Sequence, residues 1–587
     1  MSLESLIEKR RSWVKANLDN NFDIDSILAG LYNDPSHFVY EILQNAEDAG
    51  AKEVSFILFN NRLEIVHDGK DFDFNDIDGI TGIGISTKKD DLNKIGKFGV
   101  GFKSVFAITQ TPIIQSGAYH IDIHDFVVPK KLSSNISLNK TIITLPFNHS
   151  TRSSQEVFHI VDRKLQDIGL KTLLFLSNIN EIKWKSPSTS GHYYKTSERI
   201  KNVSNTHKIS IISQKGKEEL LEEYLVLSRP IEIAGKKLKV EVAFRNEKDS
   251  KGKQKIIPIS DQDSKLVVFF PTEKVTYLNF IIQGPYKTTP NRENIPLADV
   301  QNKVILEETG RLVADSLTIL KRLDYLNIDF FEVLPINIDH RDKPIYGEIY
   351  NNVKDKLLSS ERLIRGIHGG FTNTNNAILS RGKDLIKLLS QKDLKILFNK
   401  EIWIDTNNAI IRDYLIKILD IKEIDFEAFA ENITDKFIRR KKDSWLIQFY
   451  RKLLDQRSLW RDSYKWYGPG ILRQKPIIRL KDNKLITPCD PQGNIQVYLP
   501  TKTKSGYKTI KPSIIKNPDA LKFVKELGLT KPDIFAEVKE FVLPKYINDA
   551  IELDLDEYYS DFEKLLIAYA SEGSDKKREL LSELPPV

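Results

Sequence analysis

Glu41-Ile42-Leu43-Gln44-Asn45-Ala46-Glu47-Asp48-Ala49 reads as an amphipathic helix with a polar stripe. Residues four apart share one helix face. Glu41 therefore stands as a candidate base beside Asn45, a candidate metal ligand, with Asp48 one turn on. Downstream comes Gly96-Lys97-Phe98-Gly99-Val100-Gly101-Phe102-Lys103-Ser104, a glycine-rich turn ahead of a helix predicted from about Lys103. Backbone N–H groups bind phosphate without ordering a side chain, and a helix start adds a favourable field. Glycine lets a ligand approach the backbone closely and permits positive φ. No Gly-Lys-Ser/Thr triplet closes the turn, so this is not a Walker loop. Taken separately, the helix residues fit a solvated face equally well, and the glycines fit a tight turn between helices. Together they describe a site that holds a metal-bound triphosphate and activates water.

The rest of the chain sets limits. At 587 residues it has room for about three to five domains. A net charge of +7, from 88 Lys+Arg against 81 Asp+Glu, is too small over this length to imply nucleic acid. Cys489 is the only cysteine, which excludes an intrachain disulfide and a cysteine-rich zinc site and points to a reducing compartment. His120 and His124 have ligand-like spacing for a helix, but Ala118-Tyr-His-Ile-Asp-Ile-His124 alternates polar and apolar residues, as a strand face does. No run of 18 apolar residues occurs, and Met1-Ser-Leu-Glu-Ser-Leu6 is charged too early for a secretory signal. A cytoplasmic location is expected.

Element by element, the pattern predicts a helix within residues 1–30, then the helix at 38–49. A hairpin follows over 53–59 and 62–67, then a short helix over 73–80 and a loop over 79–94 rich in Gly, Thr, Ser and Lys. Strands are expected at 112–116, 119–125 and 141–146. Residues 186–208 are polar and poorly patterned, so they read as a linker. A second α+β segment has strands at 225–233, 237–245, 265–271 and 279–283 and a closing helix at 299–323. Beyond about 330 the pattern is mainly helical, with a strand-like insert at 477–499. Arg439-Arg440-Lys441-Lys442 and Lys502, Lys504, Lys508 and Lys511 form two basic runs, each read as a solvated face. The fold class is α+β, with a mostly antiparallel sheet covered by helices.

Glu41…Asn45…Asp48, the hairpin, the Asp68-Gly69 turn and Ile95-Gly-Lys-Phe-Gly-Val-Gly-Phe-Lys-Ser104 together resemble the GHKL ATPases, most closely their heat-shock-chaperone branch. Ile83-Gly-Ile-Ser86-Thr87-Lys88 and Phe102-Lys103-Ser-Val105 narrow the resemblance to the sacsin-like subgroup. The resemblance implies an α/β sandwich of the Bergerat type at 1–185, an α+β transducer at 186–325 and a mainly helical region at 326–587. It implies ATP and Mg2+ as cofactors, Glu41 as general base and Asn45 as magnesium ligand. Gly96, Lys97, Phe98, Gly99, Val100, Gly101 and Phe102 would form the phosphate turn, with Lys103 beside it. Residues 79–95 would be the lid, with Ser86, Thr87 and Lys88 reaching phosphates, and Thr141 would support the adenine end. Arg292, in Thr-Thr-Pro-Asn-Arg-Glu-Asn-Ile, matches an arginine that reaches the γ-phosphate from the second segment.

One position departs from the family pattern. Where the family has Asp-x-Gly-x-Gly, with the aspartate accepting from the adenine amino group, this chain has His67-Asp68-Gly69-Lys70-Asp71. Alignment on Gly69 and Phe72 puts His67 at the aspartate, whereas alignment on the carboxylate puts Asp68 there. Asp68 is favoured, because it accepts without needing a particular tautomer.

The expected function is a conformational ATPase that closes as an ATP-dependent homodimer and remodels or gates a protein client. The alternative is a nucleic-acid-associated ATPase of the MORC kind, a reading that fits prokaryotic anti-phage defence. A histidine kinase is disfavoured, since kinases of that group lack a base at the position of Glu41. A catalytically dead binding module is disfavoured by the presence of Glu41, Asn45 and Arg292.

Overall fold

The computed structural model describes residues 2–19, 36–82, 101–133, 139–260, 263–289, 295–461, 470–501, 505–546, 554–571 and 573–582. They fall into two compact units, one of residues 1–363 with 408–414, the other of 364–407 with 415–587. The protein is α+β, with a large mixed sheet in the first unit.

The strands of that sheet are β1 (Glu53–Phe59), β2 (Arg62–His67), β3 (Ile113–Ser116), β4 (Tyr119–His124), β5 (Val128–Lys131), β6 (Thr141–Pro146) and β7 (Glu181–Lys185). They continue as β8 (Ser190–Arg199), β9 (Thr206–Lys215), β10 (Glu218–Ile233), β11 (Lys236–Lys248) and β12 (Gln254–Ile256). The last are β13 (Lys265–Val268), β14 (Phe270–Val275) and β15 (Ile281–Gln283). Their order is β14-β13-β15-β11-β10-β9-β8-β7-β1-β2-β6-β3-β4-β5, with β12 on β11. Most pairs are antiparallel, but β1 with β7 and β13 with β15 are parallel.

The predicted hairpin forms with the expected bounds, because period-2 alternation gives each strand one buried face. Val54, Phe56 and Leu58 of β1 align with His67, Ile65 and Leu63 of β2, which in turn align with Thr141, Ile143 and Leu145 of β6. Helix α1 (Leu3–Asp19) is tied to α3 (Phe74–Thr81) by Arg10, whose guanidinium donates to Asp78 Oδ1 at 2.6 Å and to the Asp78 carbonyl at 2.9 Å. Helix α2 (Phe38–Asp48) buries Phe38, Val39, Ile42, Leu43 and Ala46 in the core that holds the inward row of β1, β2 and β6. Helix α4 (Ser154–Gln166), helix α5 (Val300–Arg322), which the side chain of Asp299 caps, and helix α6 (Pro344–Leu358) also belong to this unit.

The expected linker is corrected. Within 186–208 lie β8 and the start of β9, so the sheet runs unbroken across 185/186, and both boundaries expected from the sequence fall inside the first unit. The pattern there is obscured for two reasons. Lys195 points inward and donates to the Leu176 carbonyl. Gly191 supplies no side chain because the Trp184 indole crosses it, so that a Cβ would fall 2.2 Å from Trp184 Nε1.

The second unit also contains strands that the helical pattern did not reveal. Ala377–Ser380 lies between Ile402–Ile404 and Glu423–Ile424 in a parallel sheet of very short strands. Both basic runs prove to be partly internal: Lys441 pairs with Asp393 at 2.6 Å between the Phe437 and Trp445 rings, and Lys511 pairs with Asp443 at 2.8 Å. Lys502 and Lys504 lie outside the described residues. Among the described residues, no helix is long and apolar enough to cross a membrane.

Helix α2 is held in rotation by Glu47. Its buried carboxylate accepts from the backbone N–H of Ser177 at 2.7 Å, Asn178 at 2.8 Å and Ile179 at 2.8 Å. Glu47→Ala strips three buried donors of their partner and is expected to cost about 3 kcal/mol. Chemical denaturation measures it, and a loss within about 0.5 kcal/mol, the range of ordinary surface changes, would refute the clamp.

Candidate functional site

Glu41 is buried on α2, with His37 one turn earlier placing Nε2 3.4 Å from Glu41 Oε1. On its other side, the backbone of Gly101 closes against it: a Cβ at that position would fall 2.3 Å from Glu41 Oε2. Only glycine fits. The last glycine of the predicted phosphate turn therefore abuts the predicted base. Asn45 and Asp48 follow along α2, both half-buried. The helix predicted from Lys103 is a short 3-10 turn, Gly101–Ala107, in which Phe102 packs into the core and Ser104 Oγ donates to the Gly101 carbonyl at 2.6 Å.

Lys103 follows the turn in sequence, and its ammonium is engaged by two backbone carbonyls. Nζ donates to the Ile80 carbonyl at 2.6 Å and to the Phe126 carbonyl, and burial, with Arg10 nearby, pulls its pKa down to about 7. It fastens the end of α3 to the β4–β5 connection, a structural role beside the ligand contact expected of it.

Alternation along β2 separates the two residues expected to compete for reading a base. His67 is the inward residue and is 3% exposed, while Asp68 is exposed. Asp68 Oδ1 accepts from the backbone N–H of Lys52 at 2.7 Å and Glu53 at 3.0 Å, capping the start of β1. The preference for Asp68 is therefore corrected: a one-residue step along a strand reverses the face. His67 lies directly across from Thr141, on the sheet face that α2 covers. Thr141 Oγ1 is 2.5 Å from Ser116 Oγ, which accepts from the Phe72 N–H at 2.9 Å. Gly69 packs against the end of α2, where a Cβ would fall 2.9 Å from Ala49 Cβ, and its N–H donates to His67 Nδ1 at 3.2 Å. Burial depresses the His67 pKa to about 4, against the pull of Asp68 and Asp71.

The fold thus brings together Glu41, Asn45, Asp48 and Gly101 along and against α2, and Gly69, His67 and Thr141 at its C-terminal end. Ser86, Thr87, Lys88, Gly96, Lys97, Phe98, Gly99, Val100 and Arg292 lie outside the described residues. Three contributors escaped the sequence reading. His37 was signalled by its i, i+4 spacing to Glu41. Glu47 was hidden in a helix whose other acids seemed more functional, and Ser116 has no motif around it.

Residues 22–156, which contain this constellation, match a protein-family model described as the Sacsin domain. Among individual proteins, the chain is 24% identical over 430 residues to Protein NO VEIN of Arabidopsis thaliana, covering 66% of this chain and 14% of that protein. It is 37% identical over 103 residues to Sacsin of Homo sapiens, covering 15% of this chain and 2% of that protein. The chain thus matches only a small part of the length of either relative. An overlay on the N-terminal domain of a DNA repair protein reaches a TM-score of 0.30 at 16% identity, covering 49% of this chain and 98% of that one, a likeness too slight to bear on fold or function.

Two outcomes test this geometry. A histidine held neutral in the fold but protonated in the unfolded chain supports stability above its unfolded pKa of 6.5, and that support is lost as pH falls towards the folded value of about 4. Acidification from about pH 7 to about pH 5 should cost the wild type about 2 kcal/mol more than His67→Asn. Parallel pH profiles in urea denaturation would refute it. Lys103→Met, which strands two carbonyls, should cost about 2 kcal/mol in the absence of nucleotide. Unchanged stability with weakened nucleotide binding would return Lys103 to the ligand.

Proposed function

We propose that this chain is a GHKL-type ATPase of the sacsin and heat-shock-chaperone kind, using nucleotide-driven closure to remodel or gate a protein client. The approach of the Gly101 backbone to the Glu41 carboxylate carries this reading. A solvated helix face needs no such contact, whereas a hydrolytic site needs a base beside the turn that cradles the phosphates.

In this reading the first 185 residues correspond to a Bergerat-type nucleotide domain. Glu41 orients the attacking water and takes its proton on a carboxylate oxygen, with His37 steadying that carboxylate. Asn45 offers a neutral amide oxygen one turn on, a donor suited to Mg2+. Magnesium, when bound, supplies charge neutralisation at the phosphates. Arg292 enters from the second α+β segment to meet the γ-phosphate charge. That segment already touches the site helix: the Tyr40 ring on α2 lies 5.6 Å from Phe270 of β14, a route by which closure and hydrolysis couple. Two protomers associate while nucleotide is bound, and the protein works in the cytoplasm.

Glu41→Ala should keep nucleotide affinity within about threefold and lower turnover by about a hundredfold or more. Asn45→Ala should lose magnesium-dependent nucleotide binding. Phosphate release and calorimetric titration measure both, and normal turnover in Glu41→Ala would overturn the assignment.

A further inference from the structure

The group that faces the nucleobase in a carboxylate-bearing site only accepts hydrogen bonds. Such a group rewards the amino group of adenine and repels the carbonyl of a 6-oxopurine. The inward group here is an imidazole with its tautomer fixed. The Gly69 N–H donates to Nδ1 at 3.2 Å, so Nδ1 carries a lone pair. The ring is buried, and burial keeps it neutral near pH 7, so its one proton resides on Nε2. The hydrogen bond the ring makes among the described residues is the one at Nδ1. Gly69 itself packs closely against Ala49 at the end of α2, where a Cβ would fall 2.9 Å from Ala49 Cβ. Beside the ring, Thr141 and Ser116 offer hydroxyls, which donate or accept as needed. Of the two carboxylates that act on the ring, Asp68 has its Oδ1 engaged outside this face, and Asp71 packs against Gly117.

We infer that His67 makes this site a reader of purines irrespective of their 6-substituent, accepting 6-oxopurine nucleotides alongside adenine nucleotides. An Nε2–H donor is satisfied by the ring N1 of adenine or by the O6 carbonyl of hypoxanthine or guanine. What is lost is the element that turns 6-oxopurines away, and discrimination needs such an element as much as an attractive contact. This inference rests on the nucleotide-site reading above and refines its substrate class.

The test is equilibrium binding of ADP and IDP to the full chain with magnesium. These diphosphates are not turned over at the γ-position, and they differ at position 6 without the 2-amino group of guanine. Wild type should bind IDP within about fivefold of ADP, and His67→Asp should shift the ratio towards ADP by about tenfold or more, the worth of one mispaired polar contact. A wild-type preference for ADP beyond fivefold overturns the inference but leaves the nucleotide site standing, as does an unchanged ratio in a folded His67→Asp. If that variant does not fold, the wild-type ratio alone decides. Binding of neither nucleotide by folded wild type overturns the nucleotide-site reading itself, and this inference with it.

Discussion

A buried carboxylate needs a full set of donors, because an unpaired ion in a low-dielectric interior costs several kcal/mol. Glu47 meets that demand with three consecutive backbone amides, Ser177 to Ile179, just ahead of β7. The donors are main-chain groups, so they cannot swing away as a side chain could. The clamp therefore sets the rotation of α2 about its axis. A helix turned by one residue would carry Glu41 about 100° off the Gly101 backbone and lift Ala46 and Ile42 out of the core. The apolar stripe fixes which face is down, and Glu47 fixes that face in register with the β1–β7 junction.

The sheet face beneath α2 changes character along its length. Leu58, Leu63 and Leu145 form one apolar cross-strand row and Phe56, Ile65 and Ile143 the next, whereas the last row ends in His67 and Thr141 with Ser116 beside them. Buried polar groups persist only when they satisfy one another or a ligand. Ser116, Thr141 and the Phe72 amide form such a chain, and Gly69 satisfies one nitrogen of His67. The polar end of an otherwise apolar layer coincides with the C-terminal end of the helix that carries Glu41 and Asn45.

Much of this was legible in the sequence. The hairpin, helix α2 and the spans of α3 and α5 announce themselves through alternation and 3.6-residue periodicity, both of them local signals. What failed was non-local. The stretch 186–208 looked unstructured because its inward residues are Gly191, Tyr193 and Lys195, whose fit depends on Trp184 and Leu176 elsewhere in the fold. The strands at 377–380, 402–404 and 423–424 are too short for a period to show. In the candidate site, spacing nominated Glu41 and Asn45, and the fold places both on α2. The choice between His67 and Asp68 turned on which of two adjacent residues faces inward, and that depended on the backbone amides of Lys52 and Glu53 claiming Asp68.

The unbroken strand order has a consequence for how the molecule is taken apart. A cut at residue 185, where composition invites one, removes β8 and leaves every outward N–H and C=O of β7 bare. An exposed strand edge is a template for pairing with another chain. The fragment carrying Glu41 and His67 would then be sticky along the strand that flanks β1, and its self-association could be mistaken for native pairing of protomers. The seam between the first and second α+β segments is thus a ladder of hydrogen bonds, and it joins them as a plank is joined, not as beads on a string.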